Sequence, residues 1–222
     1  MTRIEALHPD LNGDTGPSLK KNLWRWLLLM GTPVLLGSLF FIHPDGSGGL
    51  DTLLPVSRTW LVLHVVMLPL LGLLGVSFYV LLSGYTGPVA MIGRLGVAIY
   101  LTFYIAFEAI AGVATGVLTH EAHMLSSEQQ EGVTAAIDAL GIPSVMLGFL
   151  GTIGAVIAVS SIGILLRQSG APLVPVLFLG GAPLATLFHS GTPVDAIAMT
   201  VFLVGIVWLE LRWRRDKDGE IV

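Results

Sequence analysis

Residues 142–166 read IPSVMLGFLGTIGAVIAVSSIGILL, and no side chain in that run is charged. A helix on the surface of a water-soluble protein needs a polar face, and this stretch has none. About 20 consecutive apolar residues are enough to cross roughly 30 Å of hydrocarbon at 1.5 Å per residue. The run is long enough to span a membrane, and its reading decides that of the rest of the chain.

Working outward from it, five further apolar blocks stand at 23–43, 57–83, 94–118, 171–190 and 193–211. They predict an all-α polytopic membrane bundle of about six transmembrane helices. The bundle forms one domain over residues 23–212, between a disordered cytoplasmic tail at 1–22 and a second cytoplasmic tail at 213–222. The first tail is polar and lacks the basic start and apolar run of a signal peptide. Block 171–190 holds Pro172, Pro175 and Pro183 beside Gly180 and Gly181, which predicts a kinked or re-entrant segment. Block 193–211 is bracketed by Asp195 and Glu210, so its uninterrupted core is short.

Composition agrees with these spans. Apolar residues make up 54% of the chain and charged residues only 12%, where a globular domain carries about a quarter charged. A net charge of -4 without a clustered basic face excludes a nucleic-acid partner. The absence of cysteine removes disulfides, thiolate metal sites and iron–sulfur clusters together. The only lysines, Lys20, Lys21 and Lys217, lie in the tails, so no span offers a lysine for a retinal Schiff base. Abundant Ala and Gly, with Arg favoured over Lys, fit a bacterial plasma membrane.

Orientation follows from the positive-inside rule. With both termini cytoplasmic, the inner segments hold Arg25, Arg94, Arg167, Arg212, Arg214 and Arg215. The outer segments hold one strong cation, Arg58, and most of the acids. The long outer connection 119–141 predicts a short amphipathic surface helix over the mouth of the bundle. Ser127 and Gln130 resemble a capping box there, and Val133, Ile137 and Leu140 fall on one face.

Under this topology five of the six histidines lie on the outer side: His43, His64, His120, His123 and His189. His64 falls about 9 Å inside its span and Glu108 about 15 Å, taking 1.5 Å per residue. An ionisable group at such depth costs several kcal/mol unless it is paired, protonated or turned to a wet cavity, so these two are the leading site candidates. Tyr100, Tyr104, Ala111, Gly112 and Thr115 share the Glu108 side of their helix. His189 and Asp195 flank a tight turn at the same mouth, although an acid near a helix start also serves the helix dipole. His120 and His123 stand three apart, which is not the HExxH spacing of zinc proteases but still lets both face one way. His43 reads as a residue of a wet interfacial turn, peripheral to the site.

Neutral imidazole and carboxylate are natural ligands for zinc or copper, and imidazole also serves haem iron. The expected metal set is His64, Glu108, His120 and His189, with His64 and His189 the expected cofactor ligands. Tyr104, His123 and Asp195 are further polar candidates. The resulting functional reading is a membrane protein holding a metal ion or haem at an outer-side site, reached by a small-molecule, ion or lipid ligand. Three alternatives are a proton-coupled transporter or channel gated by Glu108, a metal-dependent hydrolase of lipids, and an accessory structural subunit.

Overall fold

The computed structural model describes residues 19–46, 48–189 and 193–213. The expectations for the far ends of both tails lie outside that range. Every regular element among the described residues is helical. Five helices are long and apolar enough to cross a membrane: α1 (Leu23–Phe41), α2 (Leu50–Leu81), α3 (Pro88–Ala122), α4 (Ser127–Gln168) and, after a broken pair, α7 (Val194–Trp213). The first of these is already helical from Leu19.

The broken pair is α5 (Leu173–Phe178) and α6 (Gly181–Leu187), which together occupy block 171–190. It runs from one end of the bundle to the other. At one end the Ala171 amide closes onto Leu166, and at the other the His189 ring packs against His43. Small residues near the break bring helices close. A Cβ at Gly181 would meet the α7 backbone at Ala198 and Phe202.

The connection 119–141 departs from expectation. Its helix is not a separate surface element but the first third of α4, a single helix of 42 residues that continues through Pro143. At 1.5 Å per residue it is about 63 Å long, twice the hydrocarbon thickness. Proline removes one backbone donor, yet the helix carries on, and next to it the Ser144 hydroxyl donates to the Leu140 carbonyl at 2.6 Å. The capping box sits one residue earlier than the sequence pattern suggested. Ser126 Oγ accepts from the Gln129 amide while Gln129 Oε1 accepts from the Ser126 amide. Gln130 instead ties the helix start to the end of α3, donating to the Ala122 carbonyl at 3.0 Å.

The α3–α4 contact is the most extensive in the bundle. A Cβ on Gly96 would stand 2.7 Å from the Ala158 nitrogen and 2.8 Å from the Gly154 oxygen. Without lipid-excluding drive between helices, such backbone-to-backbone approach is what holds them together. It also fixes the rotation of α3, which carries Tyr100, Tyr104 and Glu108. At the far end α4 stops at Gly170 (φ 89°), where the Ala171 amide returns to the Leu166 carbonyl at 2.9 Å. Glycine adopts this left-handed conformation without a Cβ clash.

Candidate functional site

Three segments deliver histidines to one point. The chain leaves α1 and reaches His43 two residues beyond the helix, α2 carries His64 on its inward face, and α6 runs out into His189. One ring nitrogen from each lies within 4.8 Å of those from the other two. His43 is 5% exposed and His64 1%, so the cluster is a buried one.

The orientation of the rings is fixed by the backbone. His43 Nδ1 is 2.8 Å from the Pro44 carbonyl, and His64 Nδ1 is 2.8 Å from the Trp60 carbonyl. A carbonyl can only accept, so both Nδ1 atoms carry the proton. In the neutral rings both Nε2 atoms then present lone pairs, and they face each other at 3.2 Å. Two lone pairs at that separation repel unless a cation lies between them. Burial holds the His43 imidazole below its ordinary pKa, only partly offset by the Pro44 carbonyl and by Asp45, so the neutral form is favoured there.

Glu108 supplies a carboxyl group. It is fully buried, and His189 Nε2 lies 3.6 Å from its Oε2. Neither carboxylate oxygen has a hydrogen-bond partner. Buried polar groups are nearly always satisfied, and an orphaned carboxylate beside three imidazoles is an observation about the site. Glu108 also opens a π-helical segment, Glu108–Ala114, inside α3. The wider turn ends with the Thr115 amide bonding to the Ile110 carbonyl, five residues back. Such π-segments occur frequently at functional sites, because the extra residue re-aims one side chain without ending the helix.

The same segment brings Gly112 against the cluster. Its carbonyl accepts from Trp60 Nε1 at 3.0 Å, and a Cβ in its place would overlap the His64 ring. Trp60 in turn lies over His64 with ring centroids 4.4 Å apart. Trp60 and Gly112 therefore act on His64 from two sides. Sequence reasoning passed over Trp60, and it read Gly112 only as a small residue lining the Glu108 face.

The structure thus brings together His64, Glu108 and His189 and adds His43, which the sequence had placed at the periphery. Tyr104 lies close by, fully buried, with its hydroxyl donating to the Thr186 carbonyl at 3.1 Å and its ring 6.3 Å from His189. Asp195 is fully buried at the start of α7, where Oδ1 accepts from the Ala196 amide. The other pair stands apart from the cluster. His120 is exposed, and His123 bonds to Ser57 Oγ at 3.0 Å and to the Leu54 carbonyl at 2.9 Å. Beside the cluster lies a cavity of about 670 Å³, with His64 and His189 in its wall.

Comparisons with models of known protein families, with curated proteins and with solved structures found no match to this chain.

Proposed function

We propose that the chain is a multi-pass membrane protein that binds a divalent transition metal, zinc or copper, through His43, His64 and His189, with Glu108 as the neighbouring carboxylate. The observation that carries this reading is the pair of Nε2 atoms facing each other at 3.2 Å while both Nδ1 atoms donate to backbone carbonyls. Two nitrogens on one tetrahedral zinc stand about 3.3 Å apart, given bonds of about 2.0–2.1 Å. A backbone carbonyl on the other ring nitrogen is the usual device that orients a metal-binding histidine. Haem suits the pair less well. Axial imidazoles must leave a whole porphyrin plane between them, whereas these two meet nitrogen to nitrogen.

Three protein ligands on zinc leave a fourth position for water or a substrate oxygen, the arrangement of catalytic rather than structural sites. Glu108 can balance part of the ion's charge. A proton shared between His43 and His64 is the competing occupant, and it would suit a transporter. Metal analysis of protein purified without a histidine tag or chelator decides between the two. One equivalent of zinc or copper per chain is expected, falling at least tenfold in His64→Ala. Protein that retains no stoichiometric metal after zinc loading and dialysis would exclude the metal site.

In this reading the α5–α6 pair supplies a sixth crossing, both termini are cytoplasmic and the histidines face the outer side, as the distribution of Arg and Lys implies. The chain has no cysteine of its own, so single cysteines report cleanly. Ser126→Cys should react with an impermeant thiol reagent added to intact cells, and Ser169→Cys should not. The reverse pattern would invert the orientation.

A further inference from the structure

The cavity beside the histidines is walled mainly by apolar side chains, Leu53, Phe107, Leu140 and Phe149 among them, and His64, His189 and Asp45 also stand in its wall. At about 670 Å³ it has the volume of sites that bury a small organic molecule. Its rim is unusual for a site that opens to water. The lining residues Val145, Phe149, Leu187 and Phe188 are 69%, 59%, 52% and 46% exposed, and all four are apolar. They lie on α4 and at the end of α6, helices of the apolar bundle. A rim of this kind faces the hydrocarbon of a bilayer, so a molecule entering past it comes from the lipid phase.

The wall on the α4 side is kept low by small residues. Gly141, Ser144, Gly148 and Thr152 recur at spacings of three and four along the helix, and each lines the cavity. At Gly141 a Cβ would meet nothing within 4 Å, so the space in front of it is open. Trp60, only 7% exposed, also lines the cavity and lies over His64.

We infer that this chamber takes a single lipid acyl chain from the outer leaflet, with the chain's carbonyl oxygen directed at the histidine cluster. For its polar end this assignment rests on the metal site proposed above, and for the leaflet on the orientation proposed with it. The occupant must be amphiphilic, because the exposed lining residues are apolar and the histidines are polar. A single chain is what a volume of about 670 Å³ accommodates.

Trp60 is the natural reporter, since a lipid in the surrounding bilayer can reach it only through the chamber. The experiment uses the full chain with Trp24, Trp26, Trp208 and Trp213 changed to Phe, reconstituted into phosphatidylcholine vesicles with brominated acyl chains. Bromine quenches indole fluorescence on contact. Trp60 emission should fall at least twofold relative to unbrominated vesicles. Gly141→Phe, which projects a ring into the open space, should restore it, and Gly141→Ala should not. A cooperative thermal unfolding transition in each sample shows that the plugged variant is folded, and metal content is measured on the same samples. Trp60 emission that bromine leaves unchanged, or that is quenched equally in Gly141→Phe, would overturn the assignment. The metal reading is tested separately by the same samples: quenching without bound metal removes the ion but leaves the chain in the chamber, and bound metal without quenching does the reverse.

Discussion

The bundle holds two buried glutamates, each in a π-helical segment, and they are treated in opposite ways. Glu210, 8% exposed near the end of α7, receives a two-pronged contact from Arg25, with Nη2 2.8 Å from Oε1 and Nε 3.1 Å from Oε2. That fork-to-fork geometry satisfies both oxygens with a permanent cation. Glu108 is buried more deeply, has no hydrogen bond, and has the His189 imidazole 3.6 Å away. One carboxylate is complete within the chain and the other is not. The contrast teaches that the Arg25–Glu210 end of the bundle is closed by its own side chains, whereas the histidine end leaves a buried carboxyl group unsatisfied.

Exchanging each glutamate for its amide tests the contrast most strongly. Glu108→Gln removes a carboxyl group that is costly to ionise at full burial and has no hydrogen-bond partner, so it should raise the thermal midpoint of the metal-free protein. The same change should weaken metal binding by about 10–100-fold, the usual effect of losing a carboxylate beside a metal-binding histidine. Opposite signs on stability and affinity are not expected of a structural hydrogen bond. If Glu108→Gln lowered stability and left affinity unchanged, Glu108 would be a packing residue like Glu210.

Next in size is the effect of crowding His64. Gly112→Ala places a methyl group where the imidazole ring lies, and one of them has to move. Overpacking of this kind costs about 1–3 kcal/mol. Because the ring that moves is a proposed ligand, metal affinity should fall together with stability. Gly148→Ala is the control: its Cβ would touch the Phe107 ring at 3.1 Å and not a histidine, so affinity should hold. Equal loss of affinity in both variants would show that His64 is not being addressed specifically.

The other side of the comparison predicts a smaller change. Glu210→Gln leaves Arg25 without its carboxylate, but the Arg25 side chain is 20% exposed and water can take over part of the role. Full burial of the pair would make this a loss of about 3–5 kcal/mol, and partial exposure reduces it to about 1–2. Metal affinity should not change. A loss of metal in Glu210→Gln would mean that the two ends of the bundle are coupled.

Much of this was readable before any coordinates. The apolar blocks located the helices because hydrocarbon demands continuous apolar length, and the depth of His64 and Glu108 marked them because burial of ionisable groups is costly. His189 lies beside Glu108 just past the end of α6, and the tight turn expected between it and Asp195 falls on residues 190–192, outside the described residues. His43 was missed for a definite reason: it sits just beyond an apolar block, where a histidine in a wet turn is ordinary, and only the course of the chain after Phe41 folds it back onto His64. The π-segment was invisible too, since one extra residue in a turn leaves no trace in an apolar pattern. The break expected between a surface helix in 119–141 and the span at 142–166 is absent: Pro143 lies inside α4, and the first third of α4 is held by its capping box and by Gln130.

That first third gives the last test, and the smallest effect. Residues 127–141 belong to the same helix as 150–165, yet the two stretches differ in what covers them. In the first, Val133, Ile137 and Leu140 are only half-buried, and most of their neighbours are exposed. In the second, Gly151, Gly154, Ala155 and Ala158 are buried in the bundle, with Gly151 and Gly154 directly against the α3 backbone. Helical hydrogen bonds alone do not protect an amide for long, because a stretch with few buried contacts opens without unfolding the rest. Amide exchange should therefore be faster across 127–141 than across 150–165 by roughly one to two orders of magnitude, equivalent to about 1.4–2.8 kcal/mol of opening free energy. Adding metal should slow exchange around Trp60 and His64 and leave 127–141 as it was. Equal protection along the whole of α4 would mean that its first third is part of the closed structure, and the contrast between the two ends of the bundle would lose one of its supports.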